Sequence, residues 1–200
     1  DRHVPTRLVM SAAADSPPAT SEAPRAGFTD IEQADRVLSF LRALGLTSNF
    51  APLVVIMGHG SNSENNPHLA AYDCGACAGR HSGPNARLFA AMANRTEVRT
   101  LLSERGTQIP DATWFLGAEH NTCDDGVTWY DVEDLPSASR PAYGNLEQDL
   151  AQASSEHARE RCRRFASAPD DIAPAHAQRH VLDRRHDFSQ VRPELGHATN

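Results

Sequence analysis

Apolar positions along this 200-residue chain fall into short, separate patterns. Ile31, Ala34, Val37, Leu38, Leu41 and Leu44 recur at three- and four-residue steps, which places them on one face of a helix. The TDIE run from Thr29 to Glu32 reads as a capping box at its start, and Gly45 is a natural stop. Leu53 to Met57, LVVIM, is apolar throughout, as expected of a strand buried on both faces in a parallel sheet. After a polar, Gly-rich stretch, Ser82-Gly83-Pro84 opens a second helix running to about Asn94 through Ala86, Leu88, Phe89 and Met92. Thr96 caps a third helix, which carries Val98, Leu101 and Leu102 and closes at Gly106. Thr113 to Gly117 predicts a second buried strand, and the alternation from Val127 to Val132 a third.

The remainder is less patterned. Residues 1–27 are rich in Ala, Ser and Pro and predict linker or coil. Around Leu135 to Gly144 the chain turns to Pro, Ser and Ala. A long charged helix over about Leu146 to Phe165 has a sparse apolar face of Leu146, Leu150, Ala153, Cys162 and Phe165. The tail from Ala166 is rich in Arg and His and poor in apolar residues. Together these predict an α/β fold over 28–135, a mostly parallel sheet flanked by helices, and an additional helical extension and tail over 136–200. Ligands in such sheets bind beyond the carboxyl ends of the strands. His59, two residues past the predicted end of the first strand, stands in that position.

Composition narrows the partners. A hydrophobic content of 40% and a charged content of 22% suit a globular protein. The formal net charge of -7, with no basic run, argues against a nucleic-acid backbone as the main partner. No window approaches the ~18 apolar residues of a membrane span. The four cysteines, Cys74, Cys77, Cys123 and Cys162, are too few for a disulfide scaffold and point to a reducing compartment. The first residue is Asp1, and the expectation is a piece of a longer protein.

The run GHGSNSENNPHLAAYDCGAC, Gly58 to Cys77, carries the candidate chemistry. Imidazole and thiolate suit zinc, and His59 and Cys74 would supply one of each. Gly58 and Gly60 would remove bulk beside His59 and let a metal or ligand approach. The same pattern also fits a loop histidine and a small buried cysteine, and spacing alone leaves both readings open. Further donors within reach are Cys77, His68, Asp73, His81, His120 and Cys123. Cys74 and Cys77 form Cys-x-x-Cys, which also fits a structural zinc or thiol-redox module, although a zinc ribbon would need a second pair. His120, just past the second strand, shares a sheet edge with His59 if the strands are parallel, where it would touch a metal ligand or the substrate, or be an ordinary loop histidine. Cys123 and Asp125 lie in TCDDG and read as a turn. Neither the nucleophile elbow nor a phosphate-binding Gly pattern is present.

The segment GHGSNSENNPHLAAYDCGACAGRHSGPNAR resembles the DabA family, the zinc-bearing subunit of an energy-coupled inorganic carbon pump. GFTDIEQADRVLSFLRALGLTSNFAPLVVIMGHGS, IPDATWFLGAEHNT and the terminal FSQVRPELGHATN share the likeness. The likeness covers most of 28–135 and the last dozen residues; 1–27 and about 136–180 match poorly or only in kind. The resemblance implies a β-carbonic-anhydrase-like zinc site, of which this chain carries half. His59 and Cys74 would be two zinc ligands, with Cys77 and His120 close by. A Cys and an Asp of a Cys-x-Asp-x-Arg motif upstream of Asp1 would complete the set. It further implies CO2 hydration, coupling to a cation-translocating, DabB-like membrane subunit, and a peripheral place on the cytoplasmic side of the inner membrane. Cys123 departs from the family pattern.

Overall fold

A computed structural model describes residues 8–62 and 80–185, together with Arg192 and Glu194. Three strands form one sheet in the order β1, β2, β3: β1 is Leu53–Gly60, β2 is Trp114–Asn121 and β3 is Gly126–Trp129. β1 and β2 are parallel, and β2 and β3 are antiparallel. The architecture is therefore α/β with a small mixed sheet, and the expectation of a mostly parallel one is corrected at β3. The reason lies in the connection. Only Thr122 to Asp125 separate β2 from β3, and a link that short can form a hairpin but not a parallel crossover. β3 also ends at Trp129, earlier than predicted; Asp131 adopts a left-handed φ of 54° and Val132 opens a 3-10 turn.

Helices flank the sheet. α1 (Asp30–Ala43) is capped by Thr29 as predicted, with both bonds of the capping box made, and Gly45 follows it at a φ of 71°. Ala34, Val37, Leu38 and Leu41 are buried, but Ile31 (59% exposed) and Leu44 (60%) are not. Those two residues lie at the helix ends; α2 (Gly83–Ala93) and α3 (Thr96–Glu104) share a core with the residues between them. Thr96 is the first residue of α3, and Arg95 holds the cap position. The core joins α1, α2 and α3 to one face of the sheet through Phe89, Met92, Val98, Leu102 and Phe115, with Val54 and Ile56 packed against it.

α4 (Arg140–Cys162) begins before the predicted Leu146, because Pro141 sits in its first turn, where its missing N–H costs nothing. Tyr143 packs edge-on against Trp129, ring centroids 5.2 Å apart, on the opposite face of the sheet. Leu146 and Leu150 are half-buried there, whereas Ala153 is exposed. α5 (Pro174–Arg184) went unpredicted. It packs on the end of α4 in a second, small core of Ala158, Cys162, Phe165, Ala177 and Val181. Residues 8–27 are coil, yet Ser11 bridges to Phe28, and the Gln33 amide donates to the Met10 carbonyl at 3.1 Å.

Candidate functional site

The strand pattern decides which way each residue of GHG points. Side chains alternate across a strand, so Gly58 and Gly60 face the same side as Val54 and Ile56, while His59 faces the other. A Cβ on Gly58 would lie 2.6 Å from the Ser82 carbonyl carbon, and one on Gly60 would lie 2.6 Å from His81 Nδ1 and 2.7 Å from Glu119 Oε1. The two glycines thus make room for the chain returning into α2. They do not open the approach to His59, which corrects the reading made from spacing.

The return is bonded as well as packed. Ser82 N–H donates to the His59 carbonyl at 2.9 Å. Glu119, buried on β2, accepts from the Gly83 N–H at 2.8 Å through Oε2, and its Oε1 lies 2.6 Å from His81 Nδ1. Asn121, two residues on, accepts the Asn62 and Cys123 N–H groups at 3.0 and 3.1 Å, and Thr122 N–H donates to the Gly60 carbonyl at 2.9 Å. His81, considered above as a metal donor, is therefore engaged on the α2 face, away from His59.

On the other face, His59 is exposed, and it lies inside β1, which runs on to Gly60. Its partner in the parallel register is His120, so the two imidazoles project from the same face of neighbouring strands. His120 Nε2 lies 3.1 Å from Asp125 Oδ1, and His157 Nδ1 lies 2.9 Å from Asp125 Oδ2. Arg161 Nη1 donates to the same Oδ2 at 2.7 Å, and Arg161 also forks onto Glu194 at 2.9 to 3.0 Å. Burial alone would raise the Asp125 pKa; the His120 hydrogen bond, the Arg161 charge and hydrogen bond, and His157 outweigh it and hold the carboxyl well below the usual range. An ionised Asp125 can only accept, so His120 Nε2 and His157 Nδ1 are the donors.

Asp125 is thus the centre of an ion network, although TCDDG read as an ordinary turn. A turn it also is, with Asp125 at a φ of 59°. Cys123, buried beside it, has its thiol pushed up to about 11 by burial and by the Asp124 charge. A thiol so held is a poor metal donor. Cys74, Cys77, His68 and Asp73 lie outside the described residues. Among the described residues, no group of three or more His, Cys, Asp and Glu side chains is arranged to hold a metal. What the carboxyl end of β1 offers is an exposed imidazole, His59, a donor that suits zinc as a single ligand of a larger set.

Taken together, the chain defines an α/β module whose candidate site lies at the carboxyl end of a parallel strand pair, where such sheets bind their ligands. It belongs to the DabA family: the family model, described as "Probable inorganic carbon transporter subunit DabA", matches residues 2–200. The likeness is therefore continuous, and the expectation that 1–27 and 136–180 match poorly is corrected. The probable inorganic carbon transporter subunit DabA of Methylococcus capsulatus is 62% identical over 98% of this chain, which spans 18% of that protein. The protein of the same description from Dechloromonas aromatica is 58% identical over 98% of the chain and 19% of its own length. That from Azotobacter vinelandii is 39% identical over the full chain and 24% of its length. The chain thus spans about a fifth of the length of these relatives. No solved structure matches it.

Proposed function

We propose that this chain is part of an inorganic carbon transporter and contributes His59 and Cys74 to a zinc site that hydrates CO2, as half of a β-carbonic-anhydrase-like centre. The observation that carries the reading is His59: an exposed imidazole at the carboxyl end of β1, in register with His120, in a chain of the DabA family. Cys74 would be a second ligand, and the remaining ligands would come from elsewhere in the longer polypeptide. β1 is the outer strand of the sheet among the described residues, and its other edge is available to such a segment. Zinc, when bound, acts as a Lewis acid that brings the pKa of water towards neutrality.

The chain's own residues would then bind and orient. His59 supplies a ring nitrogen. Asp125 would fix the orientation of the His120 ring, on the strand next to His59, by accepting from Nε2. The names of the relatives support a subunit of a larger transporter. The partner in this reading is a cation-translocating membrane subunit, and the chain sits peripherally on the cytoplasmic side of the inner membrane. None of the described helices is long and apolar enough to cross a membrane, which is compatible with that placement.

The test is zinc per chain, by elemental analysis, in the full-length protein and in its His59→Ala and Cys74→Ala variants. About one zinc in the parent, as one four-ligand site requires, and loss from both variants is the expected result. Zinc retained by both variants would remove these residues from the ligand set.

A further inference from the structure

We propose that Glu119 is a positioning residue for the metal-binding end of the sheet, acting through His81 and the start of α2 on the strand that carries His59. The inference rests on the zinc reading of His59 given above. The chain leaves β1 at Asn62 and returns at Arg80, and the flanks of this excursion are tied to β2. The outgoing flank is held by Asn121, which accepts the Asn62 N–H at 3.0 Å. The returning flank is bonded by Glu119: one oxygen lies 2.6 Å from His81 Nδ1, and the other accepts the Gly83 N–H at 2.8 Å. Ser82, between those two residues, donates to the His59 carbonyl at 2.9 Å. The Glu119 carboxylate therefore holds the 82–83 backbone against Gly58 and the His81 side chain against Gly60, and the Ser82 N–H in turn fixes the peptide of His59.

The carboxylate is fitted for this and for little else. It is 8% exposed, and its two oxygens are divided between an imidazole and a helix amide. A negative charge at the first turn of α2 also suits the helix dipole. Gly83 adds a steric condition, since a Cβ there would collide with Glu119 and with the Tyr130 hydroxyl. An anchored strand end and an anchored return lower the entropy still to be lost when His59 and its co-ligands close on a metal. Partners bonded directly to a metal ligand typically contribute about 10–100-fold in affinity, which sets the upper limit for one that acts through the backbone.

The experiment measures zinc affinity by chelator competition in the full-length protein, comparing Glu119→Gln, His59→Ala and Leu102→Ala with the parent. Glu119→Gln keeps the shape and an acceptor for Gly83 but loses the charge facing His81. Leu102→Ala opens the core away from the site and controls for general destabilisation, with melting of the metal-free proteins recorded for each. The expected result is binding weaker by more than about twofold in Glu119→Gln, up to the ~10–100-fold of a directly bonded partner, unchanged affinity in Leu102→Ala, and shifted visible bands in the cobalt-loaded Glu119→Gln protein. Affinity within about twofold of the parent in Glu119→Gln overturns the inference, as does an equal weakening in Leu102→Ala. If the parent binds zinc and His59→Ala does not, either of those outcomes removes only the role of Glu119. If the parent binds none, or His59→Ala still binds it, the zinc reading of His59 falls and this inference falls with it.

Discussion

Arg161 and Asp125 join α4 to the β2–β3 turn through a hydrogen bond of 2.7 Å between side chains that are 3% and 7% exposed. Arg161 also forks onto Glu194, which is 1% exposed, and donates to the Cys123 carbonyl at 2.8 Å. Removing one member of such a buried set strands the others without a counter-charge. Arg161→Ala should therefore cost about 3–5 kcal/mol of unfolding free energy. Arg105→Ala, which breaks an exposed pair with Asp35, should cost about 0–1 kcal/mol. Urea titrations of both variants in the intact protein give the comparison, and equal costs would show the buried network to be no more than a surface pair.

Asp125 sets an acid limit. Its folded pKa is depressed, so its stabilising contribution is complete above the unfolded value of about 3.9 and is lost as the pH falls towards the lower folded value. Between pH 7 and 5 the residue should add no slope to stability. Below about pH 4 the parent should lose stability more steeply than Asp125→Asn, which has no such proton to take up. Parallel acid limbs for the two proteins in melts from pH 7 to 2 would mean that Asp125 is not held ionised by its neighbours.

The glycines of GHG should differ in tolerance. A Cβ at position 58 meets Ser82 and Gly83 backbone at 2.6 to 2.7 Å, whereas one at position 60 meets the His81 and Glu119 side chains. Side chains can rotate aside and backbone cannot. Gly58→Ala should therefore destabilise more than Gly60→Ala, each within or above the ~1–3 kcal/mol of an overpacked core. Gly106→Ala provides a contrast, because its φ of 82° brings strain but no contact within 4 Å. Thermal melts rank the three, and a Gly58→Ala protein as stable as Gly106→Ala would contradict the close return of 82–83.

Cys123 and Cys162 should resist alkylation at neutral pH. Both are buried, and burial raises both thiols, Cys123 to about 11. Mass spectrometry after brief iodoacetamide treatment should find neither residue modified in the native protein and both modified in urea. Rapid native labelling of Cys123 would place it at a surface.

What the sequence made legible was what has a local signature. The Thr29 to Glu32 box, the apolar run of β1 and the Pro84 start of α2 each carry their signal within a few residues. His59 and His120 could be placed side by side because parallel pairing of two apolar runs fixes where their ends fall. α5 escaped notice because only Ala177 and Val181 are buried in it, one i, i+4 step without a stripe. The Glu119–His81 and Asp125–His157 pairs escaped for a different reason. Their partners are 38 and 32 residues apart, and nothing in a polar residue's own neighbourhood reveals a distant counterpart. Ile31 shows the converse: it keeps the period of the apolar face and is nevertheless 59% exposed.

The alternation within GHG has a practical side. Three consecutive residues answer to two different demands, since Gly58 and Gly60 serve the packing of α2 and the His59 side chain projects from the opposite face with no part in that core. An alanine at position 59 removes only an exposed ring, so whatever binding His59 contributes can be taken away by a single codon change that leaves the Gly58 and Gly60 packing in place, and a loss of ligand can be told apart from a loss of fold.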